Sequence, residues 1–178
     1  MRDAFQQSIH HLALQSPLLT SLTVFCATPL LFVLIAAAGV IGLLNLRRVT
    51  WVTVARMIVA VVVAGVLTLL IKHLVNDPRP FIVEHYVPLA HASSDNGFPS
   101  DHALVAALLV AWTWLIDRRW TVPFVVGLLA VLLGRLGIGA HHTLDVLASV
   151  AFASLGLLAA LLVRWPRGWH ERTIRSQK

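Results

Sequence analysis

Apolar residues run along this chain in stretches too long for strands and too continuous for helices on a water-facing surface. Residues 4–46 contain no Asp, Glu, Lys or Arg, and the strongly apolar part begins near Leu18. That exceeds the roughly 20 residues a membrane-spanning helix requires. A first span is expected at 18–44, kinked at Pro29 because proline cannot donate to the preceding turn. Residues 1–16 read as a partly amphipathic interfacial segment. The competing reading is a cleaved signal peptide, with Ala36, Ala37 and Ala38 before Gly39 as the cleavage site. Asp3 offsets Arg2, however, and apolar residues continue to Leu46, so the span is expected to be retained. A second apolar stretch covers 51–73, with Arg56 and Lys72 placed to snorkel to the interfaces. Residues 76–101 hold Pro78, Pro80, Pro88 and Pro99 among His, Asp and Asn residues, which breaks any helical period and makes the one long loop. Three more apolar stretches follow at 100–116, 122–138 and 143–163. The expected fold is all-α: a polytopic transmembrane helical bundle of about five spans with an N-terminal interfacial helix. A membrane barrel would show shorter segments of alternating polarity.

Composition agrees. Of 178 residues 58% are hydrophobic and only 12% charged, against roughly 25% charged in a soluble domain. Neither a soluble globule nor a disordered chain is built this way. One domain is expected over 1–178, divided into the segment 1–16, the bundle 18–163 and a basic tail 164–178. The single cysteine, Cys26, lies in an apolar stretch and supports no disulfide framework or cysteine metal cluster. Gly127, Gly134, Gly137 and Gly139 are expected to allow close helix packing.

The net charge of +6 is informative through its placement. Arg47 and Arg48, Arg118 and Arg119, and then Arg164, Arg167, Arg172, Arg175 and Lys178 fall on one side of a five-span arrangement. The positive-inside rule makes that side cytoplasmic. The N-terminus, the long loop and the connection at 139–142 then face outward. Lys72, Arg79 and Arg135 break the bias, and each lies in a segment that also holds His or Asp. Cations on the wrong side invite a functional explanation such as an anion site. Membrane lipid, and not nucleic acid, is the partner this hydropathy implies.

Three segments carry chemistry. Lys72-His73-Leu74-Val75-Asn76-Asp77-Pro78-Arg79-Pro80 sets an ammonium at a span end and a guanidinium in a Pro-stiffened turn. Together they suit a phosphate dianion, although anchoring to lipid headgroups explains them equally well. Phe98-Pro99-Ser100-Asp101-His102 precedes an apolar span, with Ser100 as N-cap and Asp101 in the first turn. Such a helix start attracts phosphate, and His102 can donate a proton there. Arg135-Leu136-Gly137-Ile138-Gly139-Ala140-His141-His142-Thr143-Leu144-Asp145 closes the set. If the last span's helix includes His141, Asp145 shares its face at i+4 and holds one ring nitrogen, which leaves the other as a nucleophile. His142 then points about 100° away and reads as an ordinary interfacial residue. A metal site from His141, His142 and Asp145 is disfavoured, because adjacent histidines on one helix rarely converge on one ion.

In order and spacing the three segments resemble the signatures of the type 2 phosphatidic acid phosphatase superfamily. These are a Lys paired with Arg-Pro across six residues, Pro-Ser-x-His, and Ser-Arg followed by His and Asp. The chain departs at Gly134, where that family usually has Ser, losing one phosphate hydrogen bond. Asp101, Arg79-Pro80-Phe81 and the lead-in from His91 to Phe98 look most like the bacterial undecaprenyl diphosphatase branch. The resemblance implies hydrolysis of undecaprenyl diphosphate to the monophosphate at the outer face of the cytoplasmic membrane. That reaction recycles the lipid carrier of peptidoglycan synthesis and affects bacitracin sensitivity.

The implied catalytic residues are His141 as nucleophile, His102 as acid and then base, and Asp145 as the residue that orients His141. Lys72, Arg79, Ser100, Asp101 and Arg135 are expected around the phosphate. The chemistry requires no metal or other cofactor. Opposite starting protonation of the two histidines predicts a bell-shaped pH profile. Alternatives are a broader lipid phosphatase acting on phosphatidylglycerol phosphate or phosphatidate, a lipid phosphotransferase, a lipid transporter and a noncatalytic partner. Glu84, His91, Asp95 and Asn96 either shape specificity for the diphosphate, with or without a bound cation, or hydrate and cap the loop, and the second reading is preferred. The oligomeric state is not legible.

Overall fold

The computed structural model describes residues 3–171 and residue 173, and the expected basic positions Arg172, Arg175 and Lys178 lie outside these. Among the described residues there is no strand, only an isolated bridge between Thr50 and Thr173. The helices are α1 (Ala4–Ala13), α2 (Pro17–Ala27), α3 (Pro29–Leu44), α4 (Trp51–Lys72), α5 (Pro80–Val83), α6 (Asp101–Ile116), α7 (Thr121–Gly137), α8 (Thr143–Leu162) and α9 (Arg167–Glu171). A short 3-10 turn at Arg118–Trp120 leads into α7. Their boundaries follow local chemistry. Ser16, Thr50 and Ser100 accept hydrogen bonds from the amides of Leu19, Thr53 and Ala103, and Pro17 and Pro29 each open a helix.

The protein is a helical membrane bundle, and its spans differ from expectation in one helix. Trp51–Lys72, Arg118–Gly137 and Thr143–Leu162 are long and apolar enough to cross a bilayer. The first apolar stretch is broken as expected at Pro29, where α2 and α3 meet at a 45° bend. The remaining span, α6, has only 16 residues, about 24 Å of helix against a hydrocarbon core of about 30 Å. It is the central helix, packed on α3, α4, α7 and α8. Its alanines Ala103, Ala106, Ala107 and Ala111 are buried, so neighbours approach it closely. Leu18, Phe32, Leu69, Leu70, Val122 and Leu162 are exposed, as lipid-facing positions should be.

The two ends of the bundle are chemically distinct. At one, Arg48 and Arg119 both pair with Asp117, at 2.9 and 2.7 Å, which joins the connection after α3 to the connection after α6. At the other, α1, the loop from His73 to Ser100 and the turn 138–142 gather over the mouths of α4, α6 and α7. The helix α1 departs from a simple interfacial segment. Its polar residues Gln6 and His10 are buried against α7 while Phe5 and Leu12 are exposed.

Candidate active site

At this second end lies a cavity of about 490 Å³. Lys72 from the end of α4, Arg79 at the start of α5, Asp101 and His102 from the first turn of α6, Arg135 from α7 and His141 from the following turn all line it. His91, Ser93, Asp95 and Asn96 of the long loop complete the wall with Thr28 and Pro29 from the α2–α3 break. The three charged segments thus meet in space.

His141 is the focus. It is 3% exposed and its Nδ1 lies 2.9 Å from the carbonyl oxygen of Gly97. A carbonyl only accepts, so Nδ1 carries the proton. Nε2 lies 3.1 Å from a terminal nitrogen of Arg135 and 3.4 Å from one of Arg79. Guanidinium nitrogens only donate, so Nε2 presents its lone pair. Burial, then Arg135, then Arg79 push the imidazole pKa down to about 3, which keeps the ring neutral and nucleophilic.

Arg79 is held rigidly. Arg79 is 7% exposed. It donates to the Asp95 carboxylate at 2.8 Å, the Asp95 carbonyl at 3.1 Å, Ser93 Oγ at 3.1 Å and the Ala140 carbonyl at 3.1 Å. Arg135 is 5% exposed, and its buried Nε has no partner among the described residues. Two guanidiniums converging on one atom repel each other, and an anion between them relieves both.

Several expectations need correction. The helix α8 begins at Thr143, so His141 precedes it and shares no helical face with Asp145. The Gly97 carbonyl is the closer partner of Nδ1, and Asp145 Oδ2 stands 3.5 Å away. Asp145, fully buried, instead accepts from the His142 amide at 2.8 Å, closing the first turn of α8. Ser100 caps α6 as expected, but it is fully buried and absent from the cavity wall. With its hydroxyl turned to the helix amides, it is not placed as a phosphate contact. Asp101 does line the cavity, as an exposed carboxylate. His142 is mostly enclosed, its Nδ1 3.2 Å from Asp77 Oδ2. Burial and the neighbouring Asp145 carboxyl push the Asp77 pKa up. Among the described residues, Asp77, His142 and Asp145 place ligand-type atoms within 4.8 Å of one another, a group that contains His142 and not His141.

The loop residues do more than hydrate. Asp95 anchors Arg79, and the Ser93 hydroxyl and Arg79 hold its carboxyl below the usual range. Asn96 accepts from the amides of Asp77 and Phe98 and donates to the carbonyls of Lys72 and Val75, stapling the loop to the end of α4. Glu84 binds Gln7.

The sequence reading also missed a brace. Asp3 accepts from the Thr143 amide, Gln6 donates to the Leu136 carbonyl at 3.1 Å, and His10 Nδ1 lies 2.7 Å from the Gly137 carbonyl. His10 stacks on Tyr86, which also closes over Gly139, a residue whose φ of +79° favours glycine. No sequence signal singles out Gln6 and His10, because Gln7, Ser8 and His11 of the same helix are polar too. Gly134 is explained as well: a Cβ there would collide with the backbone of Cys26 and Ala27.

Comparison with known proteins agrees with this geometry. The PAP2 superfamily model matches residues 53–169. A protein of Escherichia coli, provisionally named an undecaprenyl-diphosphatase, is 27% identical over 91% of this chain and 81% of its own length. The undecaprenyl-diphosphatase of Bacillus subtilis is 30% identical over 51% of this chain, and a lipid A 1-phosphatase of Rhizobium johnstonii is 29% identical over 64%. The chain spans about half the length of these last two (49% of each). No solved structure matches significantly. The matched region covers the greater part of the chain and takes in the three charged segments that meet at the cavity, so the chain belongs to the PAP2 superfamily and is a membrane phosphatase of that type.

Proposed function

We propose that the protein hydrolyses a polyprenyl diphosphate, undecaprenyl diphosphate in the first instance, to the monophosphate and inorganic phosphate. The observation that carries the reading is the convergence of Arg79 and Arg135 on the lone pair of a neutral, buried His141. The substrate's terminal phosphoryl group enters between them, and the guanidiniums transfer their hydrogen bonds from Nε2 to phosphoryl oxygens, with Lys72 adding a third positive charge. Nε2 attacks phosphorus in line. A P–N bond forms, the P–O bond to the lipid phosphate breaks, and His102 supplies the leaving oxygen with a proton. His102 then takes a proton from water, whose oxygen displaces His141 and releases phosphate. The Gly97 carbonyl holds Nδ1–H through both steps, and Asp145 fixes the adjoining His142 amide. The substrate's tail stays among lipid chains.

The names of the Escherichia coli and Bacillus subtilis relatives support this substrate. The distribution of arginines supports a site on the extracytoplasmic side of the bacterial cytoplasmic membrane, where carrier recycling for peptidoglycan synthesis and bacitracin resistance would require it. A second reading, a lipid phosphate monoesterase, draws on the similarity to a lipid A 1-phosphatase. The test is phosphate release from undecaprenyl diphosphate in detergent with excess chelator, comparing the unmodified protein with His141→Ala. Release lost with His141 supports the histidine mechanism, and release that survives the substitution overturns it. Faster release from lipid A or phosphatidate favours the second reading.

A further inference from the structure

The break between α2 and α3 falls at the wall of the cavity. Irregular backbone at membrane depth is tolerated where it is enclosed by protein or lines a hydrated cavity, and here it lines the cavity that holds Arg135 and His141. Thr28 is the residue at the break, with φ −136° and ψ −60°. Pro29 has no amide with which to continue α2, so the chain bends by 45° at this point.

The end of α2 is fixed to the catalytic segment. Ala27 is fully buried in one cluster with Ile138 and Ala140, on either side of the turn before His141. Its backbone lies so close to Gly134 that position 134 has no room for a side chain. The residue next to Arg135 therefore cannot reach the cavity, and the neighbouring wall is supplied by Thr28. The Thr28 side chain does not cap α3. Thr28 lines the same cavity as the three cations Lys72, Arg79 and Arg135, and a hydroxyl is a hydrogen-bond donor.

We propose that Thr28 is a substrate-binding residue whose hydroxyl donates to a phosphoryl oxygen held beside Arg135 and His141. The broken span is then a part of the phosphate site carried by a helix pair that none of the three charged segments includes. The ligand chemistry is a phosphoryl group, either of a lipid diphosphate or of free phosphate. The proposal rests on the phosphatase reading above, and its test separates the two.

The experiment uses the full chain in detergent, with Thr28→Val keeping the shape of the side chain and Thr28→Ser keeping the hydroxyl. Two quantities are read for each: kcat/KM for phosphate release from undecaprenyl diphosphate, and the inhibition constant of inorganic phosphate. Thermal unfolding serves as the control for folding. Loss of one hydrogen bond to a charged ligand predicts about a tenfold fall in kcat/KM for Thr28→Val and a comparable rise in the phosphate constant. Thr28→Ser stays within about threefold. Valine with unchanged kcat/KM and phosphate affinity overturns the proposal, and so does serine as impaired as valine, which would assign the effect to packing. If the unmodified protein releases nothing from undecaprenyl diphosphate, the substrate reading fails. Phosphate binding, followed by calorimetry, then decides Thr28 by the same comparison.

Discussion

Nε2 of His141 lies 3.1 Å from a guanidinium nitrogen of Arg135, so the ring nitrogen assigned to attack faces a cation. Burial, then Arg135 and then Arg79 push the imidazole pKa down to about 3, against about 6.5 in an unfolded chain. Below pH of about 6.5 the unfolded chain takes up a proton that the folded one refuses. Stability tied to neutral His141 is therefore complete above about pH 6.5 and lost as pH falls towards about 3, at up to ~1.4 kcal/mol per pH unit. Thermal unfolding in detergent should show a steeper acid loss for the unmodified protein than for His141→Gln. Parallel curves would refute the assignment. In activity, the His141 limb of the pH profile is expected well below the ordinary histidine range.

Gly134→Ser restores the residue usual in the family, yet it should impair this protein. The new Cβ meets the backbone of Cys26 and Ala27, which cannot yield as a flexible side chain would. Overpacking of this kind costs about 1–3 kcal/mol. A lowered unfolding temperature with reduced phosphate release is expected, and a gain in activity would show that α2 can move aside.

The contacts of α1 predict a positioning effect. His10→Phe keeps the stack on Tyr86 but leaves the Gly137 carbonyl without its donor. An unsatisfied buried carbonyl costs about 1–3 kcal/mol. Because Gly137 lies between Arg135 and His141, kcat should fall by more than KM rises. Steady-state kinetics on His10→Phe and on Gln6→Leu check this, and unaltered kcat in both would reduce α1 to a packing element.

Asp95 is exposed while its partner Arg79 is buried. Exposed pairs contribute at most about 1 kcal/mol to stability, so Asp95→Asn should leave unfolding nearly unchanged. Arg79 would lose one of its anchors and its orientation in the cavity. The expected result is a KM raised severalfold with kcat reduced less, and an unchanged KM would place the anchoring in Ser93 and the Ala140 carbonyl.

The helices, the long loop and the three charged segments were legible in the sequence because each is a local property. Apolar run length marks the helices that face lipid, proline and polar clusters mark the loop, and the spacings of Lys72 to Arg79 and Arg135 to His141 lie within single segments. Ser100 at the start of α6 was readable for the same reason. Tertiary structure alone decided which atoms meet. The partner of His141 Nδ1 is the carbonyl of Gly97, 44 residues away in the chain, and no side-chain pattern encodes a backbone carbonyl. The inward polar face of α1, the pairing of His142 with Asp77 and the placement of Thr28 on the cavity wall depend in the same way on helix against helix. Periodicity shows that a helix has faces. Which face meets the site is set by close packing of distant segments, as where α2 presses on Gly134.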